Sequence, residues 1–280
     1  MPYDLKSGGT STVIIRGSAE IGPETGDASD NSGNVFGAGK GADPSEISNP
    51  GRYYLNNSNA VTWESYAYNE NDEDKTNKMA FHKYILTLGI TNKGNVIIDG
   101  GSTVKGSVYG GGSLGNVLSN TEVNISAEKR TSGSYAATSG TPVISGNVYG
   151  GGKGKGDTFT CEKAMIGKDG AGVDANYVPT DYSDGNTTVV IGNGTVNGSV
   201  YGGGEVGRVE MNKSVTVGLN SVADGGTSAP EIMQNVFGGG KGLETHGYSA
   251  LVRGNPTVTV QAGAKVRGNV YGGGQIASDS

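Results

Sequence analysis

The chemically versatile side chains of this 280-residue chain are few: two histidines, His82 and His246, one cysteine, Cys161, and acids that are mostly scattered. Nucleophilic catalysis needs a base poised within hydrogen-bond reach of the nucleophile. His82 sits near Tyr84 and His246 near Glu244, with no serine or cysteine at a telling spacing. Arg208, between Glu205 and Glu210, is the one cluster inside the recurrent sequence of the kind polysaccharide lyases and hydrolases set along a groove, and it does not recur. No catalytic residue is assigned, and the chain reads as a non-enzyme, with a lyase or hydrolase as the alternative.

Oxygen ligands for calcium are offered by the run Glu70, Asp72, Glu73, Asp74 and by the spaced Asp169, Asp174, Asp181 and Asp184. Asp72, Asp74, Asp181 and Asp184 are the candidate ligands, and the competing reading is a solvated acidic loop. Lys75 and Lys78 intrude on the first run, and Asn77 stands where an EF-hand loop needs its glycine. A lone cysteine excludes both an internal disulfide and a multi-cysteine metal cluster. Gly110-x-Gly112-x-x-Gly115 and Gly202-x-Gly204-x-x-Gly207 have the spacing of a dinucleotide fingerprint, but strand-like Val117 and Val209 follow where a helix must open. No cofactor is required; calcium is the only one the residues offer.

Aromatic residues give the strongest binding candidates. Phe36, Tyr109, Tyr149, Tyr201, Phe237 and Tyr271 each precede a glycine run. Projected one per repeat, Tyr109, Tyr149, Tyr201 and Tyr271 would make a flat surface suited to sugar rings or another protein. The glycines also leave room for each ring to pack on its neighbour, and that self-packing is the favoured reading. A second group, Trp63, Tyr66 and Tyr68, with Tyr53 and Tyr54, lies on a long insertion, a usual place for recognition or for a satellite cluster covering the first repeat.

The elements holding these residues follow from composition and period. The chain has 52 glycines, 27 valines and 14 isoleucines against 9 leucines, a balance that disfavours helices and suits short strands and turns. Net charge is −6 with basic residues scattered singly, so no electrostatic footprint for nucleic acid is present. Apolar runs such as Val96-Ile97-Ile98 are far too short for a spanning helix, which needs roughly 20 residues.

A motif of Asn or Ser, Val, aromatic, Gly, Gly or Ala, Gly recurs six times, with its valine at Val35, Val108, Val148, Val200, Val236 and Val270. Upstream of each stands an apolar pair two residues apart: Val13/Ile15, Val96/Ile98, Val123/Ile125, Val189/Ile191, Val215/Val217 and Val258/Val260. Intervening lengths alternate long and short, and units one, three and five carry Lys40, Lys153 and Lys241 where the others carry Ser113, Glu205 and Gln275, so the units fall into three pairs. The fold class is all-β: a parallel β-helix or β-solenoid of six coils in three pairs with loop insertions. The alternative is a two-sheet antiparallel repeat stack. Residues 11–277 form one repeat domain, 42–94 a long insertion and 153–187 a second. Within the first, Tyr84, Leu86, Leu88 and Ile90 alternate like a strand rejoining the sheet. Neither end offers a polar cap, so the array is expected to continue in a longer chain.

Gly-Asn-Val-Tyr-Gly-Gly-Gly at 146–152 and 268–274, and Gly-Ser-Val-Tyr-Gly-Gly-Gly at 198–204, resemble the tandem glycine-rich repeats of bacterial cell-surface, adhesin-like proteins, notably of gut anaerobes. The resemblance spans most of residues 11–277 but not 42–94. It implies a secreted, extracellular or surface-displayed protein with a structural or adhesive role. Its expected partners are a host or bacterial surface protein or glycan, without nucleic-acid binding or membrane insertion.

Overall fold

Branched aliphatic residues two apart share one face of a strand, and stacking such strands turn upon turn buries that face without a second layer. A computed structural model of the protein, describing residues 9–25, 32–48, 51–65, 85, 88–156, 163–167, 184–223, 226–246 and 249–277, has this construction. Three parallel six-stranded sheets run its length. Sheet A stacks Thr10–Ile15, Lys93–Ile98, Thr121–Ile125, Thr187–Ile191, Lys213–Val217 and Pro256–Val260; sheet B stacks Glu20–Ile21, Thr103–Val104, Val143–Ile144, Thr195–Val196, Glu231–Ile232 and Lys265–Val266. Sheet C stacks Val35–Phe36, Val108–Tyr109, Val148–Tyr149, Val200–Tyr201, Val236–Phe237 and Val270–Tyr271. One strand from each sheet makes a coil, and there are six coils.

Register is in phase throughout. Val13, Val96, Val123, Val189, Val215 and Val258 lie opposite one another in sheet A, as do Val35, Val108, Val148, Val200, Val236 and Val270 in sheet C. Every coil-to-coil pair is parallel, which excludes the antiparallel two-sheet stack. Sheet B supplies a third row, Ile21, Val104, Ile144, Val196, Ile232 and Val266. Its strands are two residues long, like those of sheet C, and in coil 1 the row is set apart from Val35 by the residues that follow Ile21. The three rows meet in one core of valine and isoleucine. Each such side chain contributes about 1.5–3 kcal/mol of gross burial before chain entropy is subtracted.

The insertions leave from different corners. Coil 1 carries its extra residues between Ile21 and Val35, whereas coils 3 and 5 carry theirs between the first and second strands. In coil 3 they pair Ala127–Lys129 antiparallel with Tyr135–Ala137, and Ala127 and Ala137 pack with Val190 and Leu219 outside the core. The long insertion holds a hairpin of Gly51–Leu55 and Val61–Ser65. Its expected later strand differs: Ile85 is a buried helical residue, Leu88 N–H closes a turn onto the Ile85 carbonyl at 3.1 Å, and Gly89 takes φ +70° against the backbone of Gly41. Burial of Ile85 and the crowded glycine contact override the alternation; Tyr84 and Leu86 lie outside the described residues. The chain rejoins at Thr91, the first member of a fourth row of single parallel bridges through Val117, Ile166, Val209 and Val252.

The two ends differ. In coil 1 the core residues Ile15 and Val35 are 5% and 4% exposed, whereas in coil 6 Val260 and Val270 are 42% and 49% exposed. Among the described residues, no helix is long and apolar enough to cross a membrane.

Candidate functional site

In sheet C the valine points into the core, so the residue after it points out. The outward residues form one column: Phe36, Tyr109, Tyr149, Tyr201, Phe237 and Tyr271 stack with ring centroids 4.8–4.9 Å apart and planes within 10° of parallel. The coil rise sets that spacing, which falls in the favourable range for aromatic pairs. Glycine follows each ring because a Cβ at Gly37, Gly110, Gly150, Gly202 or Gly238 would overlap the carbonyl oxygen of the equivalent glycine one coil on. The column is closed to ligands along most of its length. Tyr109, Tyr149 and Tyr201 have both faces covered by neighbouring rings and are buried, and among the tyrosines of the column Tyr271 alone, at 45% exposure, keeps open surface.

The phenol groups are anchored. Tyr109 donates to Glu205 Oε2 and Tyr201 to Gln275 Oε1, both at 2.6 Å, and Asn147 Nδ2 donates to the Tyr149 hydroxyl at 3.1 Å. Burial holds the Tyr149 phenol far above its ordinary value, with the Glu205 charge adding to it, and burial likewise raises Tyr201. Lys241 Nζ lies 3.0 Å from Glu205 Oε1, so at the step from coil 4 to coil 5 this motif position places opposite charges on successive coils.

Sequence reasoning missed the role of the Asn or Ser that opens each motif. Its side-chain oxygen accepts the backbone N–H of its equivalent one coil on: Ser107 on Asn34 at 2.8 Å, Asn147 on Ser107 at 3.0 Å, Ser199 on Asn147 at 2.8 Å, Asn235 on Ser199 at 3.2 Å and Asn269 on Asn235 at 2.8 Å. A second ladder at the entry to sheet A joins Asn186 to Asn120, Asn212 to Asn186 and Asn255 to Asn212. The recurrence of short polar acceptors at fixed motif positions was the available signal.

Other candidates are dispersed. Trp63 is 38% exposed on the hairpin, on the same side as Val61 at 71%. Tyr66, Tyr68, Asp72, Asp74 and Asp181 lie outside the described residues, as do His82 and Cys161. Asp184 Oδ1 accepts from Asn120 Nδ2 at 3.2 Å, and among the described residues no three His, Cys, Asp or Glu side chains are gathered where they could hold a metal. The acids of the Arg208 cluster have different partners. Glu205 turns to Tyr109 and Lys241, whereas Glu210, 2% exposed, lies 3.4 Å from Arg253 Nε and 4.0 Å from Arg208 Nε. His246 shares a 2.8 Å hydrogen bond with its neighbour Thr245. A shallow polar cleft of about 390 Å³ opens at the corner between sheets A and B, beside Arg16, Asp99, Ser139 and Thr141. Asp99 Oδ1 there accepts from Gly100 N–H and the Thr138 hydroxyl, both at 2.8 Å.

No family model, curated protein or solved structure matches the chain.

Proposed function

We propose that the protein is a non-enzymatic structural and adhesive repeat module, a rigid spacer displayed at a bacterial cell surface, with protein or glycan contacts borne on its insertions. The observation carrying this reading is the use made of the recurrent side chains: valines fill the core, rings cover one another, and asparagines tie coil to coil. Residues spent on holding successive coils in phase confer stiffness along the axis. Contact is left to what departs from the repeat. The hairpin carrying Val61 and Trp63 projects apolar and aromatic surface from a rigid body, a usual recognition arrangement.

The test pairs a glycan array with an assay for new reducing ends. Binding without turnover is expected, with Trp63→Ala weakening it while the melting temperature stays unchanged. New reducing ends would instead favour a lyase or hydrolase on the same scaffold.

A further inference from the structure

We propose that the open face of coil 6 is a docking surface whose occupant is one further coil of the same repeat, laid parallel and in register on Pro256–Val260, Lys265–Val266 and Val270–Tyr271. This rests on the reading of the chain as a repeat module and specifies the chemistry of its neighbour. Coil 6 repeats, at its core, ring and asparagine positions, the face that coil 5 presents to coil 6. Val260, Val270 and Tyr271 are open where their equivalents Val217, Val236 and Phe237 are buried. Asn255 and Asn269 end the two asparagine ladders and are exposed, whereas Asn212 and Asn235 below them each accept an N–H from the next coil.

Gly272 is the sharpest sign. At its five equivalents glycine is enforced by the carbonyl of the next coil, yet a Cβ on Gly272 would meet nothing within 4 Å. The sequence keeps glycine where only an added coil would require it. Charge narrows the occupant further. In register, Lys265 lies opposite Glu231 of coil 5, and Arg267 Nε donates to that carboxylate at 2.6 Å, so a carboxylate at the same position of the added coil would face Lys265 from the other side. One rung is absent: Gly94, Thr121, Thr187 and Lys213 each donate N–H to the next coil at 3.0–3.2 Å, and Pro256 at that position cannot, so pairing begins at Thr257.

The experiment extends the full chain, placing a second copy of residues 208–242, which hold one coil, directly after Ala277, beside a version with the extension's sequence scrambled. Glu231 of the copy then falls opposite Lys265. Three readouts are taken: nitration of Tyr271, amide exchange in Pro256–Val260 and Val270–Tyr271, and the effect of Gly272→Ala. The true extension is expected to protect Tyr271 and these amides by about tenfold or more, and Gly272→Ala, harmless in the parent chain, is expected to lower the melting temperature of the extended one. Tyr201 protection reports whether the body is folded. A folded body with Tyr271 still reactive, an extension that unfolds the body, or Gly272→Ala harmless in both chains would overturn the proposal. Concentration-dependent protection of Tyr271 in the unextended chain would also overturn it, by naming a second copy as the occupant. None of these readouts involves the hairpin, so loss of Trp63-dependent binding would count against the adhesive reading alone.

Discussion

Tyr149 shows most clearly what one residue of the column does. Its ring is stacked on both faces, its hydroxyl accepts from Asn147, and burial holds its proton tightly. Tyr149→Ala removes a buried ring from between two others and is expected to cost about 3–5 kcal/mol, against about 1 kcal/mol for Tyr149→Phe, which keeps the stack; urea denaturation measures both. A phenol whose folded value is raised above the ordinary 10 adds stability present below that pH and lost as pH rises beyond it, because the unfolded chain then releases a proton that the folded one keeps. The urea midpoint should therefore be flat from neutral pH to about 9 and fall above about 10, with phenolate absorbance appearing as the chain unfolds, and Tyr149→Phe should shrink the fall.

At the scale of the element, a coil is defined by what it gives to the next. Asn147 accepts the Ser199 N–H at 2.8 Å and also holds Tyr149, so Asn147→Ala strands a buried donor and should cost about 1–3 kcal/mol; Asn269→Ala, at the open face, should cost almost nothing. Gly202→Ala forces a Cβ onto the Gly238 carbonyl and pushes two coils apart. About 2–3 kcal/mol of destabilisation is expected, read as a lower thermal midpoint of the folded chain. These position-dependent costs distinguish a stacked coil from an independent strand, for which equivalent substitutions would act alike.

For the whole molecule, strands pair only between neighbouring coils, with contacts such as Tyr109–Glu205 reaching one coil further, so stability is close to a sum of coil and interface contributions and is smallest where a coil has one neighbour. Coil 1, with Val35 buried, and coil 6, with Val270 half exposed, should then differ in opening. Native-state amide exchange is expected to be fastest in Val270–Tyr271, slower in Val35–Phe36 and slowest in Val148–Tyr149 and Val200–Tyr201. Uniform exchange along sheet C would mean that the ends are not distinct.

The sequence determined the period, the number of coils and the residues filling sheets A and C, because a buried row must repeat its side chain in every coil and so leaves a visible copy at every turn. Lys241 and Glu205, which stand at the same motif position of successive units, meet across one step of the stack, between two of the pairs and not within one. The sheet B row recurs at a fixed distance before the sheet C valine in coils 2–6 and is broken only in coil 1, between Ile21 and Val35, whereas the bridge row through Val117, Ile166 and Val209 was not legible, being set in segments of unequal length. The tertiary structure settled what the sequence favoured beside an alternative, that the coils run parallel and that the tyrosine faces are spent on one another, and it alone decided that Glu205 meets Tyr109 and Lys241 while Glu210 lies beside Arg208 and Arg253. Those outcomes depend on which atoms meet across coils separated by tens of residues, and spacing along a chain does not encode that direction.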